Sequence, residues 1–122
     1  MIEQLNESAK KPGRVVVIGA NGFVGSSIVK QLTEKNIKTL SIGRLEVDLL
    51  RDDSAEKLSN ILKENDVVVI AAAKAPAKDF SMLLDNLRML RPIIFSANQV
   101  SLSHLIYISS DAVYSDSMEP LV

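Results

Sequence analysis

The stretch VVVIGANGFVG, residues 15–25, decides the fold of this chain. Its run of β-branched residues predicts a parallel strand that is covered by helices on both faces. Gly19, Gly22 and Gly25 follow at GxxGxxG spacing, and apolar residues then recur at helical spacing to about Lys35. Glycines let a phosphate approach the backbone, and the helix after them presents free amide groups there. The stretch therefore predicts a phosphate-binding turn, although the same glycines also suit a turn kept only for tight packing.

Apolar strands and amphipathic helices alternate along the rest of the chain. The predicted strands cover residues 15–18, 37–42, 45–50, 67–70 and 105–109, and the predicted helices cover residues 23–35, 54–64 and 79–100. Asp53 and Glu56 resemble a capping box before the second helix, and Pro92 predicts a kink or a break in the third. This alternation indicates right-handed βαβ units.

The fold class predicted from this pattern is α/β, a Rossmann-type doubly wound parallel sheet of about five strands in the order 3-2-1-4-5. A flavodoxin-like sheet is the alternative at this chain length. Its receiver-type version places acidic residues at the end of the first strand, and the sequence has none at that place.

Composition and charge exclude several classes of protein. The 122 residues are 47% hydrophobic and 24% charged with a net charge of −1, which argues against a dedicated nucleic-acid or membrane-surface binder. There is no cysteine and a single histidine, so thiolate chemistry and multi-histidine metal sites are excluded. The longest apolar run, residues 67–73, is too short to cross a membrane. We therefore expect a cytoplasmic protein, with a polar lead-in at residues 1–13 and one domain at residues 14–122.

Five segments follow one another in an order that indicates a family. They are the strand and glycine turn at 15–25, Asp48-Leu49, Ala71-Ala72-Ala73, Asn86, and ISSDAVY at residues 108–114. Together they resemble the N-terminal part of an extended short-chain dehydrogenase/reductase, in the NAD-dependent epimerase/dehydratase family. The resemblance implies a dinucleotide cofactor held by Gly19, Asn21, Gly22, Phe23, Val24, Gly25, Asp48, Leu49, Ala71, Ala72, Ala73 and Asn86. From the residues alone, Asp48 also suits a turn cap and Asn86 a solvated helix position.

The resemblance also implies two catalytic residues. Ser110 matches the hydroxyl that hydrogen-bonds the substrate oxygen, and Asp111 matches an acid of the family's dehydratases. Alternatively, these residues only begin a turn. The family's general acid/base is a tyrosine with a lysine four residues later, which has no match here because Tyr107 precedes Asp111 and Tyr114 precedes Met118 at that spacing.

Members of this family are more than twice as long as this chain. We therefore expect an N-terminal fragment that lacks most of the substrate pocket and is inactive alone. The apolar strand at residues 105–109 would then form an unprotected sheet edge, so we also expect self-association into a homo-oligomer.

Arg44 bears on the choice between NADP and NAD. NAD-binding members place an acid about 20 residues after the glycine turn. This chain has Gly43-Arg44 there, and its nearest acids are Glu46 and Asp48. An arginine pairs well with a 2′-phosphate, so we predict NADP over NAD. Alternatively, Arg44 stacks on the adenine or faces water.

The function implied by the resemblance is that of the NAD(P)-binding portion of an oxidoreductase, epimerase or dehydratase. Such an enzyme moves hydride between the cofactor and a carbon of a nucleotide-linked or similar sugar. The alternative is a non-catalytic NADP-binding sensor or interaction module of the same fold. We expect no metal, nucleic acid or membrane in either case.

Overall fold

The computed structural model of the chain describes residues 8–74 and 78–109. In this part of the chain the strands are β1 Val15–Ile18, β2 Thr39–Ile42, β3 Val67–Ile70 and β4 His104–Tyr107. The helices are α1 Phe23–Glu34, α2 Ser54–Ile61 and α3 Phe80–Ala97. All strand pairs are parallel, in the order β2-β1-β3-β4. The α/β class and the parallel Rossmann-type sheet are therefore confirmed.

Helices cover both faces of the sheet, which explains why β1 is apolar at every position. On one face, the core joins the strands to Leu58 of α2 and Ile93 of α3. On the other face, Val15 and Val17 pack with Ile28 of α1. Each fully buried side chain of this kind contributes about 1.5–3 kcal/mol, so a strand that buries side chains on both faces contributes more than one that buries a single face.

The predicted third strand at residues 45–50 is wrong, because the segment forms turns. The amide of Val47 donates to the carbonyl of Gly43, and the amide of Arg51 donates to that of Asp48. Val47 and Leu49 are buried as a strand would bury them, but these local bonds use the backbone groups that strand pairing needs. Removing this strand from the predicted order 3-2-1-4-5 leaves the observed order of the described sheet.

Neither the capping box predicted before α2 nor the break predicted in α3 is found in the described part of the chain. Asp53 precedes α2, but its side chain caps no amide and instead pairs with Lys57, so the capping box is wrong. α3 runs without a break through the buried Pro92. The side-chain cap lies at α3, where Asp79 accepts a hydrogen bond from the amide of Met82 at 2.8 Å.

A buried ion pair closes the edge of the sheet at which the strands begin. Arg14, just before β1, donates from Nε and Nη2 to the two carboxylate oxygens of Asp66, just before β3, at 2.9 and 2.6 Å. Arg14 also donates to the carbonyl of Ile61, and the amide of Lys63 donates to Asp66. The hydrogen bond to Asp66 raises the pKa of Arg14. Burial alone would raise the pKa of Asp66, but the bonds from Arg14 and Lys63 outweigh it, so that pKa lies below its usual value.

β4 is the outermost strand of the described sheet on the side away from β2. It pairs with β3, and its residues are exposed, among them Leu105, Ile106 and Tyr107. No helix in the described part of the chain is long and apolar enough to cross a membrane.

Candidate cofactor-binding site

A groove lies at the edge of the sheet where β1, β2 and β3 end. Parallel strands place their carboxyl ends together, and ligands of open α/β sheets bind outside that edge. The groove encloses about 270 Å³. Its lining consists of Ile18, Gly19, Asn21, Gly22, Ile42, Gly43, Arg44, Val47, Asp48, Leu49, Leu50, Ala71, Ala72, Ala73, Lys74 and Met89.

Gly19 lets the chain turn out of β1 directly beside the end of β3. Its φ of +87° lies in the left-handed region, which residues with a side chain rarely adopt. A Cβ at this position would also stand 2.6 Å from the amide nitrogen of Ala72. Both the backbone conformation and the close approach therefore require glycine.

Gly25 and Gly22 have different tasks in the same turn. A Cβ on Gly25 would collide with the carbonyl oxygen of Gly19, so Gly25 lets α1 pack onto the turn. A Cβ on Gly22 would meet only that same oxygen, at an ordinary 3.5 Å. The fold therefore tolerates a side chain at Gly22, and the space in front of it belongs to the groove.

The first turn of α1 leaves its amides open. Gly22 occupies the N-cap position without a side-chain cap. The amides of Phe23 and Val24 find no acceptor among the described residues. The side chains of Phe23 and Val24 project into solvent, 93% and 45% exposed, and do not line the groove. What these two positions offer a ligand is backbone amides at the positive end of a helix.

The turn after β2 carries charges of both signs. Glu46 accepts a hydrogen bond from the amide of Gly43 at 2.8 Å, which closes the turn after the strand. Arg44 extends from this turn, 79% exposed, with its Nε 3.6 Å from the carboxylate of Asp48. A Cβ on Gly43 would collide with the side-chain amide of Asn21, so the glycine turn and this turn touch across the groove.

The alanines after β3 form the third wall, and Asn86 holds them from outside the groove. The side-chain oxygen of Asn86 accepts from the amide of Lys74 at 2.7 Å, and its nitrogen donates to the carbonyl of Lys74 at 2.9 Å. Both ends of the Asn86 amide are therefore engaged by one residue's backbone. Asp85 adds a 2.9 Å ion pair to the Lys74 ammonium group.

Most of the residues predicted to bind the cofactor come together at the groove. Those in the lining are Gly19, Asn21, Gly22, Arg44, Asp48, Leu49, Ala71, Ala72 and Ala73. Phe23, Val24, Gly25 and Asn86 lie outside this lining. Sequence reasoning missed Glu46 and Lys74. The spacing of Glu46, three residues after the turn glycine Gly43, was the signal for a side chain that closes the turn.

The two expected catalytic residues, Ser110 and Asp111, lie outside the described residues. Within residues 8–74 and 78–109, no group of three metal-ligating side chains is found.

The family follows from the sequence as a whole. A model of the NAD dependent epimerase/dehydratase family matches residues 15–121. The chain belongs to this family. Family membership implies a nicotinamide dinucleotide as cofactor, without determining a preference between NADP and NAD.

A curated relative and several solved structures match this chain over part of their own length. The chain is 31% identical over 111 residues to a GDP-L-fucose synthase of Sinorhizobium fredii, covering 83% of this chain and 34% of the relative. A GDP-L-fucose synthetase from Naegleria fowleri bound to NADP matches with a TM-score of 0.76 and 19% identity, over 100% of this chain and 39% of the other. A UDP-N-acetylglucosamine 4-epimerase from Bacillus cereus matches with a TM-score of 0.69 and 23% identity, over 87% of this chain and 43% of the other. At these identities the structural matches establish the fold alone. The chain spans about a third of the length of the curated relative.

The geometry of the groove fits the cofactor that the family implies. The open face of Gly22 and the free amides of Phe23 and Val24 form a cradle of the kind a pyrophosphate needs. The alanine wall leaves room where larger side chains would fill the groove.

Proposed function

We propose that this chain is the NAD(P)-binding portion of an enzyme that acts on a nucleotide-linked sugar. The single observation that carries the proposal is the strand-turn-helix cradle, in which Gly22 keeps the groove open and the first amides of α1 stay unpaired among the described residues. The relatives are named for reactions on GDP- and UDP-linked sugars, which supports the substrate class. The bound nicotinamide would supply hydride transfer, and the residues of this chain would bind and orient it.

Different lining residues would contact different parts of the cofactor. Asp48 and Leu49 would flank the adenine, and Ala71, Ala72 and Ala73 would let the rest of the dinucleotide lie close to the end of β3. Lys74, at the end of this wall, would bring a positive charge towards the phosphates or the ribose. Asn86 would keep that wall in place through its two bonds to Lys74.

We further propose that the cofactor is NADP, because of the charge at the end of β2. The guanidinium of Arg44 is largely exposed at the rim of the groove, and its contact with Asp48 at 3.6 Å is loose. A 2′-phosphate there would compete well for Arg44, since it would accept two charge-assisted bonds from the guanidinium fork, whereas Asp48 approaches only at 3.6 Å.

The experiment compares the dissociation constants of NADP and NAD by calorimetry. Arg44→Ala should weaken NADP about tenfold or more, and NAD less than about threefold, because only NADP carries the 2′-phosphate. Arg51→Ala is the matched control, since Arg51 is similarly exposed and does not line the groove. Equal affinities of the parent for both cofactors, or an unchanged ratio in Arg44→Ala, would refute the preference. Failure to bind either cofactor would refute the proposed site itself.

The complete gene separates the enzyme from the non-catalytic module, which gains no support from the relatives, because a tyrosine with a lysine four positions later favours the enzyme. Since these 122 residues contain no tyrosine with a lysine four positions later, we expect cofactor binding without turnover of GDP- or UDP-linked sugars. Turnover by these residues alone would show that the acid/base lies elsewhere. Absence of the tyrosine-lysine pair from the complete gene would favour the module.

The homo-oligomer also stays a proposal, supported by the exposed apolar residues Leu105 and Ile106 on β4. Light scattering of the purified chain tests it. A monomer at high concentration would contradict it.

A further inference from the structure

A second cavity, of about 370 Å³, lies between α2 and α3. It shares Leu49 and Leu50 with the cofactor groove and is otherwise separate from it. Its lining consists of Leu49, Leu50, Arg51, Asp52, Ser54, Ala55, Arg88, Arg91, Pro92 and Phe95. Its volume is typical of pockets that hold small ligands.

The charge of this cavity differs from that of the chain. Three arginines, Arg51, Arg88 and Arg91, and one acid, Asp52, give the lining a net charge of +2, whereas the whole chain carries −1. The carboxylates nearest to Arg51 and Arg88 lie 3.9 Å away, so an anion at this lining would meet an excess of positive charge.

The donors of these arginines are poorly used within the protein. Arg51 and Arg88 each approach a carboxylate only at 3.9 Å, those of Asp53 and Asp85, near the limit of an ion pair. Arg91 forms no ion pair with any described residue. Arg88 and Arg91 are three positions apart on α3 and so lie on neighbouring turns of one side.

Apolar side chains stand open beside these charges. Phe95 is 53% exposed and Leu50 is 37% exposed, with Pro92 also in the wall. A ligand that brings only charge would leave this apolar surface in water, and a purely apolar ligand would leave the arginines unpaired.

We propose that the cavity binds a small amphipathic anion, a phosphate or carboxylate group attached to an aromatic ring or short aliphatic chain. The anionic group pairs with Arg88 and Arg91, with Arg51 facing them from the turn before α2. The apolar part covers Phe95 and Leu50. Leu50 also lines the cofactor groove, but the three arginines and Phe95 lie outside it, so the proposal does not depend on the proposed cofactor.

Phenyl phosphate, benzoate and inorganic phosphate are the probes, titrated into the purified chain and followed by NMR shifts and calorimetry. Phenyl phosphate should bind at least about tenfold more tightly than inorganic phosphate, because only the former buries the ring of Phe95. Comparison with benzoate shows whether the site prefers phosphate or carboxylate. Arg91→Gln and Arg88→Gln should each weaken phenyl phosphate about tenfold, since each removes a charge-assisted bond.

Two further variants show whether the binding is specific to this cavity. Lys30→Gln, on α1 at the opposite face of the sheet, removes one exposed positive charge and should change the affinity less than about twofold, because a distant exposed charge is screened by salt. Phe95→Ala should abolish the advantage of phenyl phosphate over inorganic phosphate while leaving inorganic phosphate unaffected.

The proposal is overturned if phenyl phosphate does not bind, or if Arg91→Gln and Lys30→Gln have equal effects. It is also overturned if Arg44→Ala weakens phenyl phosphate as much as Arg88→Gln does, because the probe would then occupy the cofactor groove. NMR shifts that report folded Arg88→Gln and Arg91→Gln proteins ensure that lost binding means a lost site.

Discussion

The two edges of the sheet use the same strands for opposite purposes. Where β1 and β3 begin, large charged side chains fill the space, and Arg14 and Asp66 engage each other and the neighbouring backbone. Where the same strands end, small residues leave space, and the amides of Phe23 and Val24 remain unpaired among the described residues. The first edge contributes to stability, and the second is where we propose that the cofactor binds. Substitutions at the two edges should therefore affect different measurements.

The largest effect is expected from Asp66→Ala. The side chain of Arg14 is only 14% exposed, so removing its partner leaves a nearly buried cation without compensation. Breaking a buried pair in this way costs about 3–5 kcal/mol. We expect urea unfolding to show this loss in the free energy of unfolding.

The control for this prediction replaces both partners. Arg14→Met combined with Asp66→Leu removes the ion pair without leaving a charge behind, and apolar pairs often replace buried ion pairs at little cost. We expect the double variant to be more stable than Asp66→Ala. If the double variant is the less stable of the two, the pair itself stabilises the edge, and an unpaired Arg14 is not what makes Asp66→Ala unstable.

The glycine turn should give the next largest effect. Its glycines should separate a loss of stability from a loss of cofactor binding. Gly25→Ala places a methyl group against the carbonyl of Gly19 and should destabilise the fold by about 1–3 kcal/mol. Gly22→Ala meets only an ordinary contact, so the fold should keep its stability to within about 1 kcal/mol. Cofactor binding by Gly22→Ala should nevertheless fall at least about tenfold, and by Gly22→Val further, because the added side chain stands where the pyrophosphate approaches the backbone.

Thermal unfolding and calorimetric titration of NADP check both variants. Undiminished binding by Gly22→Val would show that the pyrophosphate does not approach this turn. Equal destabilisation by Gly22→Ala and Gly25→Ala would contradict the division of roles between the two glycines.

The sequence predicts the sheet well because the signals there are local. The apolar run at residues 15–18 requires burial on both faces, and the glycines after it allow the tight turn that leads into a helix. The segment at residues 45–50 misled the prediction because a buried turn and a strand bury the same apolar residues. The apolar residues Val47 and Leu49 predict burial, which both structures would provide. The hydrogen bond from the Gly43 amide to Glu46 holds the backbone in a turn.

Contacts between distant parts of the chain could not be predicted. Arg14 and Asp66 are 52 positions apart. The predicted strand order places the strands after them side by side, but it does not show that these two side chains pair. The resemblance implies that Asn86 helps to hold the cofactor, but it does not predict the two bonds from Asn86 to the backbone of Lys74. The place of Asn86 outside the groove depends on how α3 packs beside the end of β3.

A smaller effect is expected from Asn86→Ala, beside the edge of the sheet at which the strands end. The substitution removes two bonds to the Lys74 backbone, so we expect a loss of about 1–2 kcal/mol in stability and a several-fold weaker affinity for NADP. Asp85→Ala removes only the partly exposed ion pair to the Lys74 side chain and should cost less than about 1 kcal/mol. If Asp85→Ala weakens NADP more than Asn86→Ala does, the charge and not the backbone position of Lys74 matters.

The smallest effect is the pH dependence that the Arg14–Asp66 pair gives to the free energy of unfolding. The pKa of Asp66 lies below its usual value of 3.8 in the folded chain, so acid protonates this group in the unfolded chain first. The stability it contributes is therefore fully present above the usual value and is lost as the pH falls through the lower, folded value. Asp66→Asn lacks this titration and keeps the other carboxylates, so the difference in free energy of unfolding between parent and variant should shrink from about pH 7 to about pH 3. Urea unfolding at both pH values measures it, and a difference that stays constant or grows on acidification would show that the Arg14–Asp66 pair does not hold this edge through charge.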